Sequence, residues 1–398
     1  MNLPLSLNKI PYFPLISRIA RKNNINIWLV GGFLRDIYLK KEKDLIDFDF
    51  CVERDTTFIV KEFAGTISSK YIILDKPQES LRVIFKRKGK NFTYDFTRIR
   101  GKTFREDLSL RDFSINALGV NLNDKKIKLI DLFNTKKDLD QKVIRVIKEE
   151  VIPQDPLRIL RGFAFSANYG FHIEAKTLRY MIKYKNLIKN VSKERINEEF
   201  FKILSCPNSI KIIKEMDKLK IIEEIIPYIS KVRNVSQGGY HHLDVWNHSL
   251  EALRQFELFW RKTIQNNKDM KDYFDEELVQ GRSRTHILKL ACLLHDIGKP
   301  IAKRKHEKRT IFHTHEKIGM DLAEDIAVNL KLSLKEKELL KKLIFWHLRP
   351  GYLADQIVPT ERAIYRFFRD TQKEGVAVII LSFADWRATR GPLTDAKK

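Results

Sequence analysis

Two hydrophobic periods divide the chain. Between residues 25 and 122, short apolar runs are separated by polar turns: Ile27–Val30, Phe48–Val52, Tyr71–Leu74, Leu81–Lys86, Phe92–Phe96 and Ile115–Val120. Runs of this length, rich in Ile, Val, Phe and Tyr, predict strands. Leu15 to Lys22, ahead of them, reads as a helix. After Ile130-Asp131-Leu132-Phe133 the period lengthens and the chain reads as helix almost throughout. Pro156 opens one helix at its first turn, and that helix runs to about Tyr169 before Gly170. Ala175–Lys185, Glu194–Leu204 and Ser209–Lys218 continue the helical body. A turn-rich stretch at Ser236-Gln237-Gly238-Gly239 marks a boundary, and the Lys-rich segment 265–284 reads as a mobile surface connection. The expected fold is α+β: a lead-in (1–24), a mixed-sheet head (25–150), an all-α neck and body (151–235) and a second all-α domain (236–398).

Within the head, Gly31-Gly32 follows the first strand and turns tightly into a helix that starts with Arg35 and Asp36. After a basic loop, Asp47 and Asp49 stand two apart in an apolar run. At strand period they share a face. Like charges that close are unfavourable unless a cation lies between them, and a divalent metal is the natural one. The paired glycines let a backbone approach phosphate. Hard carboxylate ligands favour Mg²⁺. Asp95, in Tyr94-Asp95-Phe96-Thr97, suits either a third carboxylate from a neighbouring strand or a turn cap.

Composition narrows the partner. The 398 residues carry a formal net charge of +24, with 43% hydrophobic positions. Such an excess predicts a polyanionic partner, nucleic acid first. Cys51, Cys206 and Cys292 show no Cys-X-X-Cys spacing and read as buried thiols of a reducing cytoplasm. No apolar run is long enough to span a bilayer. The start of the chain, with Pro4, Pro11 and Pro14, lacks a signal-peptide pattern. The expectation is a cytoplasmic protein with no membrane association, and no protein partner is implied.

The order strand, Gly31-Gly32, Arg35-Asp36, then Asp47-X-Asp49 on a second strand resembles the catalytic core of the nucleotidyltransferase superfamily that includes DNA polymerase β. Within it, the chain resembles the tRNA nucleotidyltransferase/poly(A) polymerase family. Three further stretches carry that resemblance. Arg111-Asp112-Phe113-Ser114-Ile115-Asn116-Ala117 is similar to the family's Arg-Arg-Asp-Phe-Thr-Ile-Asn-Ala motif, with Leu110 in place of the first Arg. Asp155-Pro156-Leu157-Arg158-Ile159-Leu160-Arg161 resembles its Glu-Asp-X-X-Arg-X-X-Arg helix, with Gln154 where Glu is frequent. Glu194-Arg195-Ile196-Asn197-Glu198 matches a later helical motif, read as a brace.

The resemblance implies that Asp47, Asp49 and Asp95 hold Mg²⁺ for transfer from CTP or ATP, and that Gly31, Gly32, Arg35 and Arg111 attend the nucleotide. It implies that Asp112 accepts from ribose hydroxyls while Asn116 ties the loop. Asp155 and Arg158, three apart, are expected on one helix face. An accepting Asp beside a donating Arg matches the amino-donor and ring-acceptor edge shared by cytosine and adenine. Arg161 would be a further base or phosphate contact. The implied activity is template-independent addition of C and/or A to the 3′ end of tRNA. Full CCA-adding members of the family usually carry a longer flexible loop between the positions of Asp95 and Arg111, so the resemblance, with this segment shortened, leans towards CC- or A-addition.

In the C-terminal half, an apolar helix ends in His295-Asp296, followed by Gly298-Lys299-Pro300, which resembles the HD phosphohydrolase superfamily. His248, His295, Asp296 and Asp385 form the implied set for a divalent metal, with His315 and His347 as candidates for a second metal or for substrate phosphate. Three alternatives stand beside the leading reading. A poly(A) polymerase shares head and neck but usually ends in a basic tail. An HD-type phosphohydrolase with an inactive head would leave the intact carboxylates without purpose. A pure RNA-binding protein would leave Asp47 and Asp49 unexplained.

Overall fold

The computed structural model describes residues 7, 10–41, 46–87, 89–124, 126–237, 243–306, 309–356 and 358–389. Pro4 of the lead-in and Gly238 and Gly239 of the expected boundary turn lie outside the described residues. Two compact units form: Met1–Arg158 with Tyr169–Met181, and Ile159–Asn168 with Ile182–Lys398.

The first unit is built on a seven-stranded mixed sheet. Its strands are β1 (Ile27–Val30), β2 (Asp47–Val52), β3 (Tyr71–Asp75), β4 (Ser80–Arg87), β5 (Lys90–Arg98), β6 (Leu118–Asn121) and β7 (Leu129–Asp131), in the spatial order β3-β4-β5-β2-β1-β6-β7. β2 runs parallel to β5 and antiparallel to β1. Period-2 alternation fixes the register. Phe48 and Phe50 on β2 and Tyr94 and Phe96 on β5 are buried, and Phe50 stacks on Phe96 with ring centroids 4.9 Å apart. A slip of one residue would bring Asp47 and Asp49 into this aromatic core. β1 is central and buried along its whole length, as its unbroken apolar run requires. On the far face, Trp28 stacks on Phe104 of the helix Phe104–Ser109 at 4.6 Å. Gly119 keeps that space open, since a Cβ there would meet Phe104 at 2.5 Å.

Two sequence expectations in this unit are corrected. Ile115–Val120 is not one strand: a 3₁₀ turn occupies Ser114–Asn116 and the strand starts at Leu118. The side chain of Asn116 and the backbone N–H of Ser114, which donates to Arg145 O, hold the turn away from the sheet. The region after Phe133 also contains a short parallel pairing of Val143–Ile144 with His172–Ile173, where helix was expected.

The second unit is helical. The helix Arg284–Leu294 lies at its centre, packed against Val245–Lys262, Leu334–Trp346 and Gly375–Thr389. Nearly all its side chains are buried, which explains a run that is apolar on every side. The segment 265–284, expected as a surface connection, carries regular structure. It forms the helix Lys268–Asp275 and a small hairpin, anchored by fully buried Ile264 and Phe274. Buried cations join elements here. Lys289 donates to Cys206 O at 2.6 Å and pairs with Glu257 at 3.0 Å. Arg284, with no exposed surface, pairs with Glu374 at 2.7 Å and Glu276 at 2.9 Å. No helix among the described residues is long and apolar enough to cross a membrane. Truncating Arg284 would leave Glu374 buried and uncompensated, so Arg284→Ala is expected to lower stability by about 3–5 kcal/mol. Urea unfolding of the full chain measures this, and a loss below about 1 kcal/mol would show the pair to be incidental.

Candidate functional site

The sheet register lines charges up in one row. Arg82 on β4 lies opposite Asp95 on β5, Asp95 opposite Asp49 on β2, and Asp49 opposite Val30 at the end of β1. Asp47 and Asp49 are exposed on the polar face while their neighbours fill the core. Gly31 closes the row. Its φ is +79°, and a Cβ there would stand 2.9 Å from Asp49 Oδ2, so both backbone and space exclude a side chain. Asp95 is a strand residue rather than a turn cap, and Arg82 grips it with two bonds of 2.7 Å. Sequence reasoning missed Arg82. The signal was present: the hairpin that pairs Arg87 with Lys90 sets Arg82 against Asp95 five residues further out.

Arg111 donates to Cys51 Sγ at 3.2 Å and to Asp107 Oδ2 at 3.3 Å. Burial works to lower its pKa, but Cys51, Asp107 and Asp49 outweigh burial and raise it. Cys51 is a buried free thiol pushed up to about 12, mainly by burial. Cys206 and Cys292 are likewise buried thiols outside any disulfide.

A second network joins the helix after Gly31 to the Asp112 loop. Arg35 forks onto Asp36 at 2.9 and 3.1 Å and donates to Asn116 Oδ1 at 2.6 Å. Asn116 donates in turn to Asp112 Oδ1 at 3.0 Å, which also accepts from the Phe113 N–H. Tyr169 donates to Asp36 and lies beneath the Arg35 guanidinium, 4.5 Å from it. Arg35 is thus only 6% exposed and engaged by protein groups.

Asp155 is not itself a helical residue, so it and Arg158 are not three apart along one helix. It stands between the helices Val151–Gln154 and Leu157–Tyr169 with φ −145° and ψ 90°. Pro156 is the cause, because the residue before a proline is driven out of helical conformation. Asp155 instead opens the second helix, its carbonyl accepting from Arg158 N–H. The Arg158 guanidinium donates to Val151 O and Leu110 O, tying the helix start to the residue before Arg111. Arg161 belongs to the second unit and lies over the Phe165 ring. Glu194, Arg195 and Glu198 lie on the helix Lys193–Leu204.

In the second unit, His248, His295, Asp296, His315, His347 and Asp385 converge. Asp385 Oδ1 is 2.8 Å from His248 Nε2 and 3.6 Å from His295 Nε2. Asp296 Oδ2 is 3.3 Å from His295, and its Oδ1 is 3.4 Å from His315 and 3.8 Å from His347. Each of His295, His315 and His347 faces the carbonyl three residues earlier with Nδ1, at 3.0, 2.7 and 2.6 Å. That bond fixes the tautomer and aims Nε2 inward. The three Nε2 atoms are buried and lack a hydrogen-bond partner among the described residues.

Orphaned nitrogens beside carboxylates fit a cation. Among the described residues, two groups have ligand atoms within 4.8 Å of one another: His248, His295 and Asp296, and Asp296, His315 and His347. Asp296 is common to both. Gly298 permits the convergence, since a Cβ there would strike His315 O at 2.2 Å. Lys299, also missed from sequence, donates to Asp296 Oδ2 at 2.6 Å and to Gln237 at 2.5 Å. Burial alone would lower the His295 pKa, but Asp296 and Asp385 raise it to about 10, while burial and His295 push His347 down to about 4.

A carboxylate row on a mixed sheet behind a Gly-Gly turn, followed by a helical body and a histidine–aspartate centre, is the layout of a nucleotidyltransferase with an appended HD domain. Residues 27–145 match the family described as "Poly A polymerase head domain", residues 170–232 "Probable RNA and SrmB- binding site of polymerase A", and residues 245–390 "HD domain". The chain belongs to the tRNA nucleotidyltransferase/poly(A) polymerase family. It is 27% identical to an A-adding tRNA nucleotidyltransferase of Deinococcus radiodurans, over 92% of this chain and 77% of that protein. It is 34% identical to a CC-adding tRNA nucleotidyltransferase of Geobacter sulfurreducens, over 53% of this chain and 48% of that protein. A solved Thermotoga maritima CCA-adding enzyme complexed with tRNA shares the fold, with a TM-score of 0.66, 20% identity and coverage of 93% of this chain and 77% of that one.

Because His295 carries a proton well above neutral pH while a ligating imidazole cannot, loading the histidine–aspartate centre is expected to release about one proton at pH 8. Calorimetric Mn²⁺ titration of the full chain in buffers of different ionisation enthalpy, against His295→Ala, measures it. Zero protons attributable to His295 would contradict ligation by that residue.

Proposed function

We propose that this protein adds C and/or A nucleotides to the 3′ end of tRNA without a nucleic-acid template, taking them from CTP and ATP and releasing pyrophosphate. The observation that carries this reading is the row Asp95, Asp49 and Gly31 across adjacent strands, inside a chain whose head, RNA-binding and HD segments follow the family order. Relatives that bear the names A-adding and CC-adding tRNA nucleotidyltransferase support the substrate. The charge of +24 suits an RNA partner.

Asp47, Asp49 and Asp95 are the proposed Mg²⁺ ligands. Bound divalent ions supply activation of the tRNA 3′ hydroxyl and neutralisation of the leaving pyrophosphate. Gly31 and Gly32 offer backbone N–H groups to the triphosphate. Arg111 adds positive charge beside Asp49. Asp112 accepts from the ribose, held in place by Asn116 and Arg35, so Arg35 acts through the loop. Asp155 and Arg158 read the edge common to cytosine and adenine, and Arg161 contacts RNA. Relatives of both restricted types, together with the short segment between Asp95 and Arg111, support restriction to CC- or A-addition. The protein works in the cytoplasm.

A second activity is favoured by the two ligand groups that share Asp296. We infer a divalent-metal phosphohydrolase centre formed by His248, His295, Asp296 and Asp385, with His315 and His347 completing a second ion position. An RNA-end phosphoester is its proposed substrate class.

Asp47→Ala is expected to lower nucleotide addition by at least about 10³-fold while tRNA binding persists. His295→Ala is expected to spare addition and remove phosphohydrolysis. Radiolabelled incorporation, filter binding and phosphate-release assays on the two variants separate the outcomes. Undiminished addition by Asp47→Ala would refute the head assignment, and loss of addition in folded His295→Ala would refute two independent sites.

A further inference from the structure

The row of charges on the head sheet contains one cation, and the nucleotidyl-transfer reading gives it no task. Arg82 stands in register with Asp95 on the neighbouring strand and binds both its oxygens at 2.7 Å. Asp95 is itself in register with Asp49. A bidentate guanidinium saturates a carboxylate in one fixed plane, leaving fewer lone pairs for another cation. The Arg82 side chain is 38% exposed and that of Asp95 23%. A pair this open to water is held weakly and can be displaced. Asp49 is in register with Asp95 and Asp47 stands two residues along the same strand, so the guanidinium lies beside a cluster of three carboxylates.

We propose that Arg82 is a positioning residue that serves as the resident cation of this cluster, competing with divalent metal for Asp95. The proposal rests on the reading of Asp47 and Asp49 as metal ligands. Without metal, Arg82 offsets the repulsion between neighbouring strands and keeps the sheet in register. With metal, the guanidinium gives up its hold on Asp95, and the cost of that release sets how tightly the metal is held. Asp95 is then a regulated ligand rather than a free one. The released guanidinium lies on the polar face of the sheet and can meet an incoming anion, for which the triphosphate is the natural source.

Direct Mn²⁺ binding to the full chain, read by the EPR signal of free Mn²⁺, tests this. The head sites are defined as those lost in Asp47→Asn/Asp49→Asn. Arg82→Gln is expected to bind Mn²⁺ about fivefold more tightly at the head, and adding Asp95→Asn should cancel the gain. Arg82→Lys keeps the charge and loses the fork, so it should tighten binding less, and it carries the test if the Gln variant fails to fold. A merely structural Arg82 would weaken metal binding when removed. Unchanged or weaker head binding in Arg82→Gln overturns the proposal. Full Mn²⁺ binding by Asp47→Asn/Asp49→Asn overturns the metal reading, and the proposal with it.

Discussion

Carboxylates held on adjacent strands repel one another, and the head fold is arranged to tolerate that repulsion. Asp49 and Asp95 are in register on parallel strands, with Asp47 two residues along. Water on the polar face, Arg82 alongside and Arg111 near Gly31 offset the charge. Beneath them, Phe48, Phe50, Tyr94 and Phe96 prevent the strands from slipping apart. The aromatic core supplies the rigidity and the polar face spends it on an unfavourable arrangement, as functional sites commonly do.

The histidine–aspartate centre solves a similar problem away from water. Asp296 is 1% exposed and is accompanied by His248, His295, His315, His347 and Lys299. Burial favours its neutral form, but Lys299 and His295 prevail and hold its pKa well below the ordinary range. Protons and an internal lysine here do what Arg82 does on the sheet. The difference in ligand type follows: exposed oxygens suit a hard ion on a substrate phosphate, whereas buried imidazoles suit a resident ion.

Local periodicity made much of this legible in the sequence. Asp47 and Asp49 share a face because strands have period 2, and His295-Asp296 ends a helix whose apolar run marks it as central. What escaped depends on contacts between distant segments. Arg82 becomes meaningful only through hairpin register. Arg284 and Lys289 look like surface cations in sequence but are buried against Glu374 and Glu257. The lysines of 265–284 suggested a plain surface connection, and its helix and hairpin depend on the burial of Phe274 and neighbouring Ile264. Asp155 was placed on a helix by spacing to Arg158, although Pro156 next to it already forbade that conformation. Asn116 fell inside the expected strand Ile115–Val120, although the resemblance already had it tying a loop, and its side chain does hold a turn there.

On the proposed function, the roles fall into a sequence of restrictions: the carboxylate row would select a nucleotide with metal, Asp112 a ribose, Asp155 and Arg158 a base, and the basic chain an RNA acceptor. Purified protein incubated with tRNA lacking its 3′ end, ending in C or ending in CC, with each of the four ribonucleoside triphosphates separately, tests that sequence most directly. The account predicts tRNA-dependent incorporation of C or A, with U and G rejected. Equal incorporation of all four nucleotides, or none on any of these acceptors, would contradict it.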